Sequence, residues 1–261
     1  VSNAGFGFVM GAGLVATPLI LTALGGDWRT TFYVSGGLFA LLTVAWLALG
    51  RDRYPVVKRA PETGDTRTGE VETPAASTSV RATLTHRDLL LACLGMTGGV
   101  LTWSAFISFF PTLMLERYDV SLEWSGGLLA INMGVGGITG IVTAFLLVRS
   151  RLLNPVLVVL GVAMTAGYAA LTLTGSLRLL VVFAALSGLS GAYFPLLYSV
   201  AFQLRGVSRD RIPVAVAAVM TAASIGMVGG PMMTGYLQEA IGELRLPLII
   251  ASMAGLILVP V

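Results

Sequence analysis

Charge is scarce in this sequence, and its scarcity is uneven. Only 11% of the 261 residues are Asp, Glu, Lys or Arg, and eight stretches contain none at all: 1–26, 30–50, 89–115, 124–148, 152–177, 179–204, 212–238 and 246–261. With 56% hydrophobic residues and a mean hydropathy of +0.87, so little charge cannot cover a surface in water, and the chain needs lipid as its solvent. Thiols are equally scarce. Cys93 is the single cysteine, which excludes a disulfide framework and a paired-thiolate metal site. The single histidine, His86, lies outside every uncharged stretch. No acid, base or metal-binding cluster therefore falls at membrane depth, and the sequence reads as a protein that is not an enzyme and uses no metal or cofactor.

What is present is length. A spanning helix needs roughly 20 apolar residues, so the first seven stretches suffice. The eighth, of sixteen residues, stops at the chain end and reads as a truncated span. Val1 is not a natural start, and the chain reads as a fragment. The stretches are rich in Leu, Ala, Val and Gly and lack a period of two, which favours helices over the alternating strands of an outer-membrane barrel. The first is no secretory signal, being too long and without a basic leader. The expected fold is an all-α polytopic membrane protein with eight transmembrane helices.

Residues 51–88 hold thirteen of the twenty-nine charges. From 55 to 85 the composition is Thr, Glu, Pro, Ala, Ser and Arg without periodicity, too polar to bury a core, so a flexible linker with a short helix near its ends is expected. If this linker is cytoplasmic, the loops on its side carry twelve Lys and Arg and those on the other side four, while acidic residues divide seven and six. By the rule that basic loops stay inside, both ends lie in the cytoplasm. The isoelectric point near 9.3 then reports topology, not nucleic-acid binding. The Arg205, Arg209 and Arg211 cluster has the same reading, in preference to a phosphate or lipid site.

Several motifs punctuate the spans. Gly95 and Gly99, Gly136 and Gly140, and Gly226 and Gly230 stand at the spacing of close helix crossings. Pro18 and Pro231 each follow a glycine five residues earlier, Gly13 and Gly226, and are expected to bend their helices. Asn132, Gly136, Thr139 and Thr143 share one helix face, as do Ser187, Gly191, Phe194 and Tyr198, while Trp103, Phe106 and Phe110 form an aromatic face. Such stripes serve either helix packing, the commoner use, or a substrate pathway. GLSG (188–191) matches a short intramembrane serine-protease motif, but the only histidine is His86, at the linker edge, so the match is incidental. GAGLVA (11–16) fits a dinucleotide pattern but sits inside a membrane stretch, away from any strand-to-helix turn.

Three segments resemble the major facilitator superfamily of secondary transporters, whose two six-helix halves are joined by a long cytoplasmic loop. GDWRTTFYVSGGLF (26–39) resembles the turn between its helices five and six. FFPTLMLERYDVSLEWSGGLLAI (109–131) is similar to its connection between helices seven and eight, and GGPMMTGYLQEAIG (229–242) to its helix eleven. The resemblance implies a bundle lacking the first four helices. Residues 1–50 would be the last two helices of the N-terminal half, 51–88 the central linker, and 89–261 the C-terminal six-helix half. The loop VRSRLLN (148–154) lacks the acidic residue usual in the second-half basic motif, and Thr17-Pro18 stands where the antiporter signature has Gly-Pro.

The resemblance further implies transport of a small solute by alternating access, with or without a coupling ion, in the cell inner membrane. The complete protein would be monomeric, with the lipid bilayer and a small-molecule substrate as its partners. Trp103, Phe106, Asn132 and Tyr198, followed by Thr221 and Ser224, are expected to line the cavity; Trp103, Phe106 and Tyr198 lie on the spans that would correspond to the family's cavity-lining helices seven and ten. Pro18 and Pro231 are expected to bend or gate. The competing reading is a membrane-embedded scaffold or sensor without transport, kept open because the spans hold no ionisable group.

Overall fold

The computed structural model of the protein describes residues 12–13, 16–17, 19–25, 27–49, 79–146, 153–204 and 206–258. Pro18, most of the first expected span, linker residues 51–78, the loop 147–152 and Arg205 lie outside them. The described residues are helical almost throughout and contain no strand. The chain divides into two compact units, Leu19–Ser77 and a larger one comprising Val1–Pro18 with Thr78–Val261.

In the smaller unit, helix α1 (Trp28–Leu49) starts where Asp27 can cap it. The Asp27 carboxylate accepts from the Arg29 amide at 3.0 Å, the Thr30 amide at 3.4 Å and the Thr30 hydroxyl at 2.5 Å, which satisfies donors that the first turn of any helix leaves unpaired. The Arg29 guanidinium lies 5.3 Å from the Trp28 ring centre, and Trp28 meets Phe32 edge-on. The exposed aromatic and cationic groups at this helix end suit the membrane interface.

The larger unit begins with a short helix, α2 (Val80–Leu84), whose N-cap Ser79 accepts from the Ala82 amide at 3.1 Å. Then come α3 (Arg87–Tyr118), α4 (Leu122–Leu146), α5 (Leu153–Leu171) and α6 (Leu177–Leu189). A 3-10 turn at Ser190–Ala192 leads into α7 (Tyr193–Val200), and another at Arg209–Arg211 into α8 (Ile212–Ile241). Finally α9 (Arg245–Met253) tightens into a 3-10 segment, Ala254–Leu258. Among the described residues six helices are long and apolar enough to cross a membrane: Trp28–Leu49, Arg87–Tyr118, Leu122–Thr143, Asn154–Leu171, Leu177–Val200 and Arg209–Ile241. The last apolar helix, Arg245–Leu258, is shorter.

Helix α3 is the axis of this unit. It packs most extensively against α8 and also meets α4, α7, α9 and the terminal 3-10 segment, while α6 packs on both α4 and α5. Lipid offers no hydrophobic drive for one helix to leave it for another, so close contact and cross-helix hydrogen bonds hold such a bundle. Both occur along α3 and α8. The Thr97 hydroxyl donates to the Ala222 carbonyl at 3.1 Å and the Ser104 hydroxyl to the Gly226 carbonyl at 3.2 Å, and at the far end Arg117 pairs with Glu243 at 3.6 Å. These ascending pairs show that α3 and α8 run parallel. Gly226 makes the approach possible, because a Cβ there would stand 2.5 Å from the Thr97 carbonyl oxygen. On the opposite flank Thr102 donates to the Ala251 carbonyl at 2.8 Å and Thr165 to that of Ser252 at 3.0 Å, fastening α9 just before it tightens.

Candidate functional site

The expected cavity residues fall into two groups. Asn132, on α4, is 3% exposed and its amide is used on both sides. Its Nδ2 donates to Ser187 Oγ at 2.8 Å and to the Ala184 carbonyl at 3.4 Å, and its Oδ1 accepts from the Tyr168 hydroxyl at 3.3 Å. Ser187 in turn donates to the Ala184 carbonyl at 3.1 Å. One polar knot thus joins α4, α5 and α6. It needs partners within the bundle, because a buried amide or hydroxyl left unpaired in lipid is costly. Phe106 is fully buried beside the knot, its ring centre 4.4 Å from that of Tyr168 and 6.3 Å from that of Phe110.

Trp103 and Tyr198 are half-buried, packed on the edge of the same core. The Tyr198 ring lies 5.6 Å from that of Phe202. Thr221 and Ser224 lie on the exposed side of α8, turned away from the residues that meet α3, and each returns its hydroxyl to its own helix, to the Ala217 and Met220 carbonyls at 2.9 and 3.1 Å. Asn132 and Phe106 are therefore brought together, whereas Thr221 and Ser224 stand apart from them on a different surface. Pro231 is inside α8, which continues through it to Ile241. The missing amide leaves the Met227 carbonyl without its ladder donor.

Two features escape the sequence reading. Tyr168 ties α5 into the polar knot, and a signal existed: a tyrosine within an uncharged span needs a partner for its hydroxyl. The second is the interruption between α6 and α7. Ser190–Ala192 is 3-10 rather than α, and Pro195, four residues after Gly191, supplies no amide to that carbonyl. The break lies at the close approach to α4, where a Cβ on Gly188 would stand 2.6 Å from the Asn132 carbonyl oxygen and one on Gly191 2.8 Å from Gly136 Cα. Gly188, Gly191 and Pro195 within eight residues were the available signal.

Among the described residues no group of three His, Cys, Asp or Glu side chains is placed to hold a metal ion. The arrangement offers hydroxyls, one amide, aromatic faces and backbone carbonyls near a helix break.

A solved structure described as a bacterial homolog of the human lysosomal transporter Spinster, inward-facing and unoccupied, superposes with a TM-score of 0.57 at 18% sequence identity. The match covers 100% of this chain and 61% of that one, so the chain spans less than two thirds of its length. At this identity the likeness establishes the fold alone. No curated protein matches the chain. Residues 1–208 match the family described as the Major Facilitator Superfamily. That match covers most of the chain and agrees with the helical membrane bundle built from its uncharged stretches. By these findings the chain belongs to the Major Facilitator Superfamily.

Proposed function

We propose that the protein moves a small solute across the membrane by alternating access, with residues 1–50 ending one half, 51–88 linking the halves and 89–261 forming the second half. The observation that carries this reading is the family match over residues 1–208. In such transporters two helical halves rock about a site near the membrane midplane, and interrupted helices expose backbone groups there. The break at Ser190–Ala192, next to the α4 crossing, has the character such a site requires. The charge count of the loops supports cytoplasmic ends and an inner-membrane location.

In this reading Trp103, Tyr198, Thr221 and Ser224 contact the solute. Phe106 and Asn132, buried in the bundle behind Trp103 and Tyr198, support the wall. Pro18 and Pro231 are helix bends that take part in opening. Any charge-coupled step draws on groups at the ends of the spans or beyond them, because the stretches between hold no Asp, Glu, Lys or Arg. The test is uptake by the full-length protein in proteoliposomes, screened against small neutral and zwitterionic solutes. Thr221→Ala with Ser224→Ala should raise the half-saturating concentration several-fold at unchanged abundance. Uptake no greater than in empty vesicles across the panel would overturn the transport reading.

A further inference from the structure

The short helix α2 is too small to span anything, yet it is held in place. Ser79 caps it, Thr83 is fully buried, and the helix packs against α8. Because α3 and α8 run parallel and in register, this contact falls where both begin, at Arg87 and Ile212. The uncharged stretches 89–115 and 212–238 begin within two residues of those positions, as expected of a membrane boundary.

Two properties of this end have no use inside the bundle. Val80 and Leu84, four residues apart on one helical face, are 43% and 41% exposed, and Leu90 and Leu94 extend the exposed apolar strip along α3. Arg81, Arg87 and Arg209 are exposed, and among the described residues none of them forms an ion pair. Arg211 is paired with Asp210 at 3.4 Å, so Asp88 is the one further acid described at this end. Three arginines flank an apolar face at the level of the lipid headgroups. A planar guanidinium matches phosphate oxygens in pairs, and a short apolar face with basic flanks suits the boundary between headgroups and acyl chains.

We propose that α2, the first turn of α3 and the segment entering α8 form a docking surface for anionic phospholipid headgroups. Val80 and Leu84 rest on the upper acyl chains, and Arg81, Arg87 and Arg209 bind phosphates. The acidic residues of the linker, Asp52, Glu62, Asp65, Glu70 and Glu72, are the competing occupant.

The experiment uses the full-length protein with Cys93 and any other native cysteine replaced by Ser and with Ala82→Cys, labelled at residue 82 with an environment-sensitive fluorophore. Nanodiscs of phosphatidylcholine alone are compared with nanodiscs containing a quarter phosphatidylglycerol, each with a headgroup-level spin-labelled lipid as quencher. The expected result is blue-shifted, quenched emission that strengthens with phosphatidylglycerol. The combined Arg81→Gln, Arg87→Gln and Arg209→Gln variant should lose most of the phosphatidylglycerol-dependent change, each arginine near such a surface contributing about fivefold and the three together about a hundredfold to headgroup affinity. Emission indifferent to phosphatidylglycerol, or equal in the variant, overturns the proposal. A shift that ignores lipid charge but disappears on Glu70→Gln with Glu72→Gln assigns the surface to the linker instead. Uptake is not the readout, so failure here leaves the transport reading untouched.

Discussion

The contact between α3 and α8 can be tested with one methyl group. In Gly226→Ala the new Cβ stands 2.5 Å from the Thr97 carbonyl oxygen and 3.0 Å from the Leu101 amide nitrogen. Both are backbone atoms of a helix and cannot swing aside, so the helices must part by several tenths of an ångström or more. Overpacking of this kind costs about 1–3 kcal/mol. Parting also stretches the Thr97 and Ser104 bonds, already 3.1 and 3.2 Å long, and cross-helix bonds in a bilayer contribute about 0.6 kcal/mol each. Alanine returns up to about 1 kcal/mol through its better helix propensity. The net expectation is a destabilisation of roughly 1–3 kcal/mol. Gly229→Ala is the control. Its Cβ meets only Leu101 Cδ1, at 3.8 Å, so propensity alone should act and the variant should be neutral or slightly more stable. The assay is denaturant or thermal unfolding of both full-length variants in one detergent. Equal stability of the two would refute the argument that backbone contact, rather than glycine content, sets this crossing.

Replacing Asn132 with Leu removes the partner of both Ser187 and Tyr168. Ser187 still donates to the Ala184 carbonyl, so the orphaned group is the buried Tyr168 hydroxyl; it should lower stability by about 1–3 kcal/mol, and Tyr168→Phe in the same background should recover part of it, with unfolding of the four proteins of that cycle as the measurement. Pro195→Ala supplies an amide to the Gly191 carbonyl, straightens the break and should reduce uptake rate more than membrane abundance, whereas equal losses would point to folding. Pro231→Ala should behave alike but more mildly, because α8 is continuous already. At the start of α1, the Thr30 hydroxyl, and next the Arg29 amide, hold the Asp27 carboxyl below the usual carboxylate range. A depressed folded value means that the cap's contribution is complete above the ordinary carboxylate pKa and is lost as pH falls through the lower folded one. Acid unfolding of Asp27→Asn should lack that component and show a flatter stability profile at low pH.

The helices were readable because charge marks their ends. Arg87 opens α3, Arg117 stands in its last turn, and Glu239 and Glu243 bracket the end of α8. The partners of each helix were not readable, because α3 finds α8 across a separation that no local periodicity encodes. The spacing of Gly226 and Gly230 announced a close crossing without saying with what. Asn132 drew attention as an amide in a span, but its burial depended on Tyr168 arriving from α5 and Ser187 from α6. Thr221 and Ser224 ranked next after it in sequence, and they close onto their own helix. The ordered stretch 79–88 belonged to the polar linker by composition, and only its packing on α8 shows that its last residues fold with the bundle.

The parallel pairing of α3 and α8 sets a schedule for synthesis. Thr97 and Ala222 are 125 residues apart, and at ribosomal speeds of about 5–20 residues per second the groove on α3 waits roughly 6–25 seconds for the helix that fills it. During that interval α4 to α7 have emerged, while the groove side of α3 still faces lipid or the insertion machinery. Its hydroxyls are not orphaned meanwhile, since Thr97 can bond the Cys93 carbonyl and Ser104 the Leu101 carbonyl of their own helix. The same side chains that later bridge two helices thus shield the first while it waits. A nascent chain arrested before α8 emerges therefore keeps Thr97 and Ser104 bonded within α3, without the Ala222 and Gly226 carbonyls that they meet in the finished bundle.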